Sequence, residues 1–222
     1  MLPILPVERS KAEARRSYDR LSSFYDIIAA SEWPLIREGL AWLAPQMGEQ
    51  ILEIGYGTGR ALPPIAEAVG ERGRVLGVDI SPRMRARAEA KLARRGLAAR
   101  CQLEVGDAAR WPFAPGAFAA AFMAFTLELF DIEEIPEVLA RVKAALKAEG
   151  RLAVVSLSKS RGSTLPVRLY EALHRRFPAT LDCRPIYVER SLLEAGLALE
   201  RAKSRSLWGL PVEIVLATKP RK

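Results

Sequence analysis

Apolar residues fall into two rhythms that take turns along the chain. Short dense runs read as strands: Ile51-Leu52-Glu53-Ile54, residues 73–80, Cys101-Gln102-Leu103-Glu104-Val105, residues 117–125 and residues 151–157. Between them lie stretches with apolar positions three and four apart: 60–69, 82–95 and 132–148, where Ile135, Val138, Leu139, Val142 and Leu146 share a stripe. That spacing predicts helices. Run 117–125 is apolar on both faces, as a central parallel strand should be. Two further helices, 8–30 and 34–43, precede the first strand. After the fifth strand come an inserted helix at 164–177, a helix at 188–195, a strand within 197–207 and a last strand at 211–218. No crossover helix separates the final two strands, so they pair antiparallel. Five alternations and a terminal hairpin predict a doubly wound α/β sheet. The chain divides as 1–48, an N-terminal helical lid region, and 49–222, the remaining single domain.

The first strand ends in Gly55-Tyr56-Gly57-Thr58-Gly59, with an acid, Glu53, just inside it. Glycines admit positive φ and let a ligand lie against bare backbone. The dinucleotide fingerprint needs its third glycine at position 60, and that residue is Arg60. A carboxylate at Glu53 would repel a pyrophosphate but attract an ammonium or a sulfonium.

Two more acids follow strands. Asp79 lies at the carboxyl end of the second strand, 20 residues past Gly59, where a carboxylate can accept from both hydroxyls of a ribose. Ser81-Pro82 then caps a helix closed by Gly96. Asp107 follows the third strand; an acid there can accept from an adenine amino group while the next amide, Ala108, donates to a ring nitrogen.

Glu53-x-Gly55-x-Gly57-x-Gly59, Asp79-Ile80-Ser81-Pro82-Arg83-Met84, Gly106-Asp107-Ala108 with Pro112-Phe113, and Phe125-Thr126-Leu127-Glu128 after the fourth strand resemble, in order, the motifs of class I S-adenosylmethionine-dependent methyltransferases. The finer resemblance is to the ubiquinone and menaquinone C-methyltransferases and the phospholipid N-methyltransferases. It implies a Rossmann-like fold with a seven-stranded, mostly parallel sheet of order 3-2-1-4-5-7-6, strand seven antiparallel. It also implies S-adenosyl-L-methionine as cofactor, S-adenosyl-L-homocysteine as product, and no metal. On that carry-over Glu53, Gly55 and Gly57 hold the methionine part, Asp79 the ribose, and Asp107 with Ala108 the adenine. Tyr18, Tyr56, Gly59, Ile80, Met84 and Phe125 complete the expected cofactor site, with Tyr56 narrowing the pocket. Glu128 and Tyr25 are the expected catalytic residues, Glu128 as substrate contact or base. Tyr18 and Tyr25 would belong to a lid that excludes water.

The implied reaction is methyl transfer to a small or lipid-soluble acceptor, a quinone precursor or a phospholipid amine. Net charge is +8. That suits anionic lipid, acidic substrates or nucleic acid, and equally an arginine-rich proteome. Trp208 and Tyr187 as exposed aromatics fit a peripheral contact with an anionic membrane. Arg168 and Arg184 read as solvated arginines or as partners of an anionic head group, and His174, beside two arginines, as a surface residue. A nucleic-acid methyltransferase acting on amino groups would show an Asn/Asp-Pro-Pro-Tyr-type tetrad where Phe125-Thr126-Leu127-Glu128 stands. A cofactor-binding protein without turnover is the other alternative. Cys101, Cys183 and His174 lack metal-ligand spacing. The opening residues lack a signal peptide's basic start, so a cytoplasmic setting is expected. Absent asparagine with abundant Arg, Glu and Pro fits a thermophile.

Overall fold

The computed structural model describes residues 30–160, 162, 165–176 and 183–221, with Ile4, Glu13 and Arg16 besides. Its elements in order are α1 (Trp33–Leu43), β1 (Gln50–Ile54), α2 (Leu62–Val69), β2 (Arg74–Asp79), α3 (Pro82–Arg94), β3 (Cys101–Val105), β4 (Phe118–Ala124), α4 (Glu134–Ala145), β5 (Leu146–Leu157), α5 (Leu165–Arg176), α6 (Val188–Glu194), β6 (Ala198–Leu207) and β7 (Leu210–Thr218). One seven-stranded sheet has the order β3-β2-β1-β4-β5-β7-β6. Strands β1 to β5 pair in parallel, while β7 runs against both β5 and β6. The expected order and the antiparallel seventh strand are both present.

Strand alternation sends successive side chains to opposite faces. Ile51, Ala120, Phe122, Ala153 and Val155 face a core shared with α1, α2 and α3. Leu52, Ile54, Ala121, Met123, Leu152 and Val154 face the other, under α4 and α6. Helix α1 is built tightly into the first face. A methyl group at Gly39 would stand 2.6 Å from Val155 Cγ2 and 3.2 Å from Phe122 Cε2. Local signals start α3: Ser81 Oγ accepts from Met84 N at 3.1 Å, and Pro82 occupies the first turn.

One boundary departs from the sequence pattern. The stripe through Leu146 predicts a helix to 148, but α4 stops at Ala145. Leu146 pairs with Phe118, the register then jumps, and Arg151 pairs with Ala120. The extra residues loop out with Glu149 at φ 59°. Reciprocal bonds between Glu149 N and Lys219 O and between Lys219 N and Gly150 O hold that bulge. Tyr18 and Tyr25, and with them most of the expected lid, lie outside the described residues.

Candidate active site

In an open parallel sheet a ligand settles at the carboxyl edge where the strand order reverses. Here that point is β1, flanked by β2 and β4. The loop leaving β1 has all three glycines at positive φ: Gly55 71°, Gly57 51° and Gly59 74°. Two of them also clear space. A methyl group at Gly55 would lie 2.2 Å from Thr126 Oγ1, and one at Gly59 would lie 2.8 Å from Ala88 Cβ of α3. The loop after β4 therefore lies directly on the loop after β1.

Asp79 ties this loop to the neighbouring helix. Its Oδ2 accepts from Gly57 N at 2.8 Å and its Oδ1 from Ser81 N at 2.9 Å. Glu53, beside Gly77 and Phe122 in the sheet, is only 4 % exposed. Burial, then the Asp79 charge, push its carboxyl up to about 8, against a smaller pull from Lys91. Its Oε2 is buried with no hydrogen-bond partner. A buried orphan acceptor beside a bare backbone loop fits a cationic group and not a phosphate.

Residues 51–150 match a family described as a methyltransferase domain. The chain is 34% identical over 136 residues to nocamycin O-methyltransferase of Saccharothrix syringae, covering 61% of this chain and 48% of that one. It is 33% identical to aklanonic acid methyltransferase DauC of Streptomyces, covering 66% of each. It is 32% identical to the ubiquinone/menaquinone C-methyltransferase UbiE of Teredinibacter turnerae, covering 53% of this chain and 47% of that one. The chain thus spans about half to two thirds of the curated relatives it matches. The chain belongs to the class I S-adenosylmethionine-dependent methyltransferases. S-adenosylmethionine is the cofactor of that family. Solved structures agree on the fold. The [4+2]-cyclase SpnF superposes with a TM-score of 0.77 at 17% identity, over 98% of this chain and 99% of that one. A SAM-dependent methyltransferase from Aquifex aeolicus superposes at 0.59 with 20% identity, over 82% and 88%.

Of the residues read from the sequence of this methyltransferase, Glu53, Gly55, Gly57, Gly59 and Asp79 gather around the one loop. Ile80 continues from Asp79, and Asp107 stands one strand further, its Oδ1 accepting from Ala109 N at 3.0 Å. Ala108 is buried. Met84 is buried at the first turn of α3, where its amide serves the cap. Tyr56 does not narrow a pocket. Its ring packs against Gly77 and Leu103's side of the sheet, and its hydroxyl donates to Glu104 O at 3.1 Å. Burial raises its phenol far above the ordinary value. Only its backbone is left for a ligand.

Phe125 turns the chain at the end of β4 with φ 50°, a strained conformation for a bulky residue. The turn aims Thr126 at the glycine loop; its hydroxyl donates to Ala124 O at 2.9 Å. Glu128 follows in a short 3-10 turn and is 0 % exposed. Its Oε1 accepts from Leu157 N at 3.1 Å, and its Oε2 has no partner. Burial pushes its carboxyl up to about 7.

Other expectations are corrected. Arg184 is not a solvated arginine; it is 1 % exposed and its guanidinium donates to Phe130 O. His174 is buried rather than on the surface. Tyr187 is half-buried, whereas Trp208 and Arg168 are exposed. Two residues that the sequence patterns did not single out also stand here. Thr126 covers Gly55, and Glu32 at the start of α1 has its carboxyl pushed up to about 7 by burial, against the Arg60 charge. Each had a faint signal: a hydroxyl at the end of an apolar strand, and an acid just ahead of Trp33-Pro34. Among the described residues there is no cluster of metal-ligating side chains and no helix long and apolar enough to cross a membrane.

Proposed function

We propose that this chain transfers a methyl group from S-adenosylmethionine to a small, lipid-soluble acceptor of the quinone-precursor type. The observation that carries the reading is the orphaned Glu53 carboxyl, sealed beside three positive-φ glycines and tethered, through Gly57, to Asp79. When bound, the cofactor supplies an activated methyl on a sulfonium. The chain's residues then have four tasks. Glu53 and the bare backbone at Gly55 and Gly57 meet the charged methionine end. Asp79 keeps the loop in place and meets the ribose hydroxyls. Asp107 and the Ala108 amide frame the adenine. The loop after β4, which carries the buried Glu128, borders the acceptor, and the N-terminal region with Tyr18 and Tyr25 closes over the site to exclude water. Two relatives named for ubiquinone, menaquinone or demethylmenaquinone methylation support the acceptor class. The phospholipid amine and a peripheral contact with anionic membrane remain the narrower variants.

Calorimetry with S-adenosylmethionine and with NADH tests the core of this reading. Micromolar affinity for the first and none for the second is expected; the opposite pattern would end it. A second reading draws support from the likeness to SpnF, whose structure is named for a cyclisation and not for methylation. In that reading the cofactor is held but not consumed. Mass spectrometry of the cofactor after incubation with hydroxylated acceptors separates the two, since only methyl transfer yields S-adenosylhomocysteine.

A further inference from the structure

Helices α1 and α2 lie on the same face of the sheet, α1 over β4, β5 and β7, and α2 over β1 and β2. At their far ends Leu43 O accepts from Arg151 Nε at 2.9 Å, and Gly48 N donates to Val69 O at 2.7 Å. The second bond ties the loop after α1 to the last residue of α2. Between the two helices lies a cavity of about 650 Å³. That volume is in the range of sites for small organic ligands.

The sequence accounts for the space. Pro34, Arg37, Glu38 and Ala41 recur at three- and four-residue spacing and so share one side of α1. Pro45 continues that line, and Pro64 faces the cavity from α2. Prolines and an alanine have little to fold into a gap, and they lose no rotamers when a ligand enters. Leu40 and Ile65, 8 % and 0 % exposed, belong to the core beneath and close the floor. The half-buried Trp33 lines the cavity at the first turn of α1.

Two charged side chains stand on the walls, and their states differ. Glu38 Oε2 accepts from Arg205 Nε and Glu38 Oε1 from Arg205 Nη2, each at 2.8 Å, with Lys203 Nζ at 3.6 Å. Its charge is already answered from β6. Arg37 is exposed, and no carboxylate among the described residues pairs with it. The cavity therefore combines an apolar floor with one uncompensated positive charge.

An apolar body carrying one anion satisfies both features. An ammonium would meet Arg37 as a like charge. A nucleotide phosphate would find no glycine loop and no second cation among the lining residues. A second copy docked patch to patch would bring two Arg37 side chains together.

We propose that the valley between α1 and α2 is a second ligand site, for an apolar molecule bearing a single anionic group. None of its lining residues lies in the loops after β1 to β4, so it fills independently of the methyl-transfer cleft. The site does not depend on which acceptor is methylated.

The whole chain with 8-anilinonaphthalene-1-sulfonate, a flat apolar probe with one sulfonate, tests this. Probe fluorescence should saturate at one molecule per chain, with a dissociation constant of about 50 μM. It should do so equally in the presence of saturating S-adenosylmethionine. 1-Naphthoate should displace the probe at about tenfold lower concentration than 1-naphthalenemethanol, and Arg37→Glu should erase that preference. Ala41→Trp fills the space from an exposed position and should weaken the probe about tenfold, with the melting temperature held within about 2 °C. Trp208→Ser, at an exposed indole elsewhere, should change nothing. Fluorescence that never saturates, equal displacement by acid and alcohol, or binding lost in Trp208→Ser and kept in Ala41→Trp overturns the site. Displacement of the probe by S-adenosylmethionine overturns it too, by placing the probe in the methyl-transfer cleft. A wild-type dimer that Ala41→Trp dissociates, read by light scattering, gives the valley to a second copy instead. Should Ala41→Trp melt early, the acid–alcohol contrast in wild type and Arg37→Glu still decides.

Discussion

The two halves of the sheet hold their ligand-facing groups by different means. On the side of β1, β2 and β3, position is set by backbone: three positive-φ glycines, a carboxylate bonded to two amides, and a helix cap. On the side of β4, β5 and β7, position is set by side chains packed across long sequence gaps. Glu128 hangs from Leu157, α1 rests on Phe122 and Val155, and the buried Lys159 is paired with Glu171 of α5 at 2.5 Å. The first half suits a ligand shared by a whole family, since backbone geometry changes little with side chains. The second half can be rebuilt residue by residue, and acceptor choice belongs there.

That contrast can be broken in either half. The largest effect is expected from Gly55→Val. Its Cβ would collide with Thr126 at a φ of 71°, costing about 3 kcal/mol of stability and abolishing cofactor binding. Urea denaturation and calorimetry would measure both; a normal binding isotherm would refute the packed loop. Asp79→Ala is expected to weaken S-adenosylmethionine by about 100-fold, because two bonds to a charged acceptor, and those to the ribose, are lost together. Unaltered affinity would remove the ribose assignment. Gly39→Val should destabilise by about 2 kcal/mol by wedging α1 off Val155. It should lower turnover while leaving cofactor affinity nearly unchanged; equal loss of both would erase the distinction between the halves.

The smaller effects are protonic. Glu53 stands near 8 in the free protein, so at pH 7 it is mostly neutral. A cation bound beside it favours the charged form, so cofactor uptake should release a proton at pH 7 and none well above pH 8. Calorimetry in buffers of different ionisation enthalpy reads this directly. The same shift has a sign for stability. A carboxyl raised in the folded state stabilises fully below its unfolded value near 4.5, and that contribution is lost as pH rises through 7 for Glu32 and Glu128 and through 8 for Glu53. The melting temperature should therefore fall from pH 6 to pH 9, and less steeply in E53Q.

The difference between the halves also explains what the sequence made legible. The strand order, the capped α3 and the glycine loop follow from local signals: dense apolar runs, Ser81-Pro82, and glycines where side chains cannot go. Asp79 was readable because its distance from Gly59 is fixed by one helix and one strand. Glu32 was not, because its place depends on α1 crossing two strands that lie some 80 residues or more further along the chain. Arg184 and His174 looked solvent-facing because charge predicts exposure only when no neighbouring element covers it. Tyr56 looked like a pocket residue from its place in the loop, yet Gly77 opposite gave its ring room in the core. The end of α4 was misjudged because Leu146 continues the helical stripe while serving as the first paired residue of β5.

The single reversed strand has an effect beyond pairing. Because Val212, near the start of β7, pairs with Leu157 at the end of β5, the connection from β6 arrives at the working rim and not at the base. That brings Trp208, two-thirds exposed, and Gly209, beside Pro166 of α5, to the side on which the glycine loop opens. The β6–β7 hairpin thereby shares a rim with the glycine loop, with β4 and β5 between them, and an indole there is a built-in optical reporter of events along that rim.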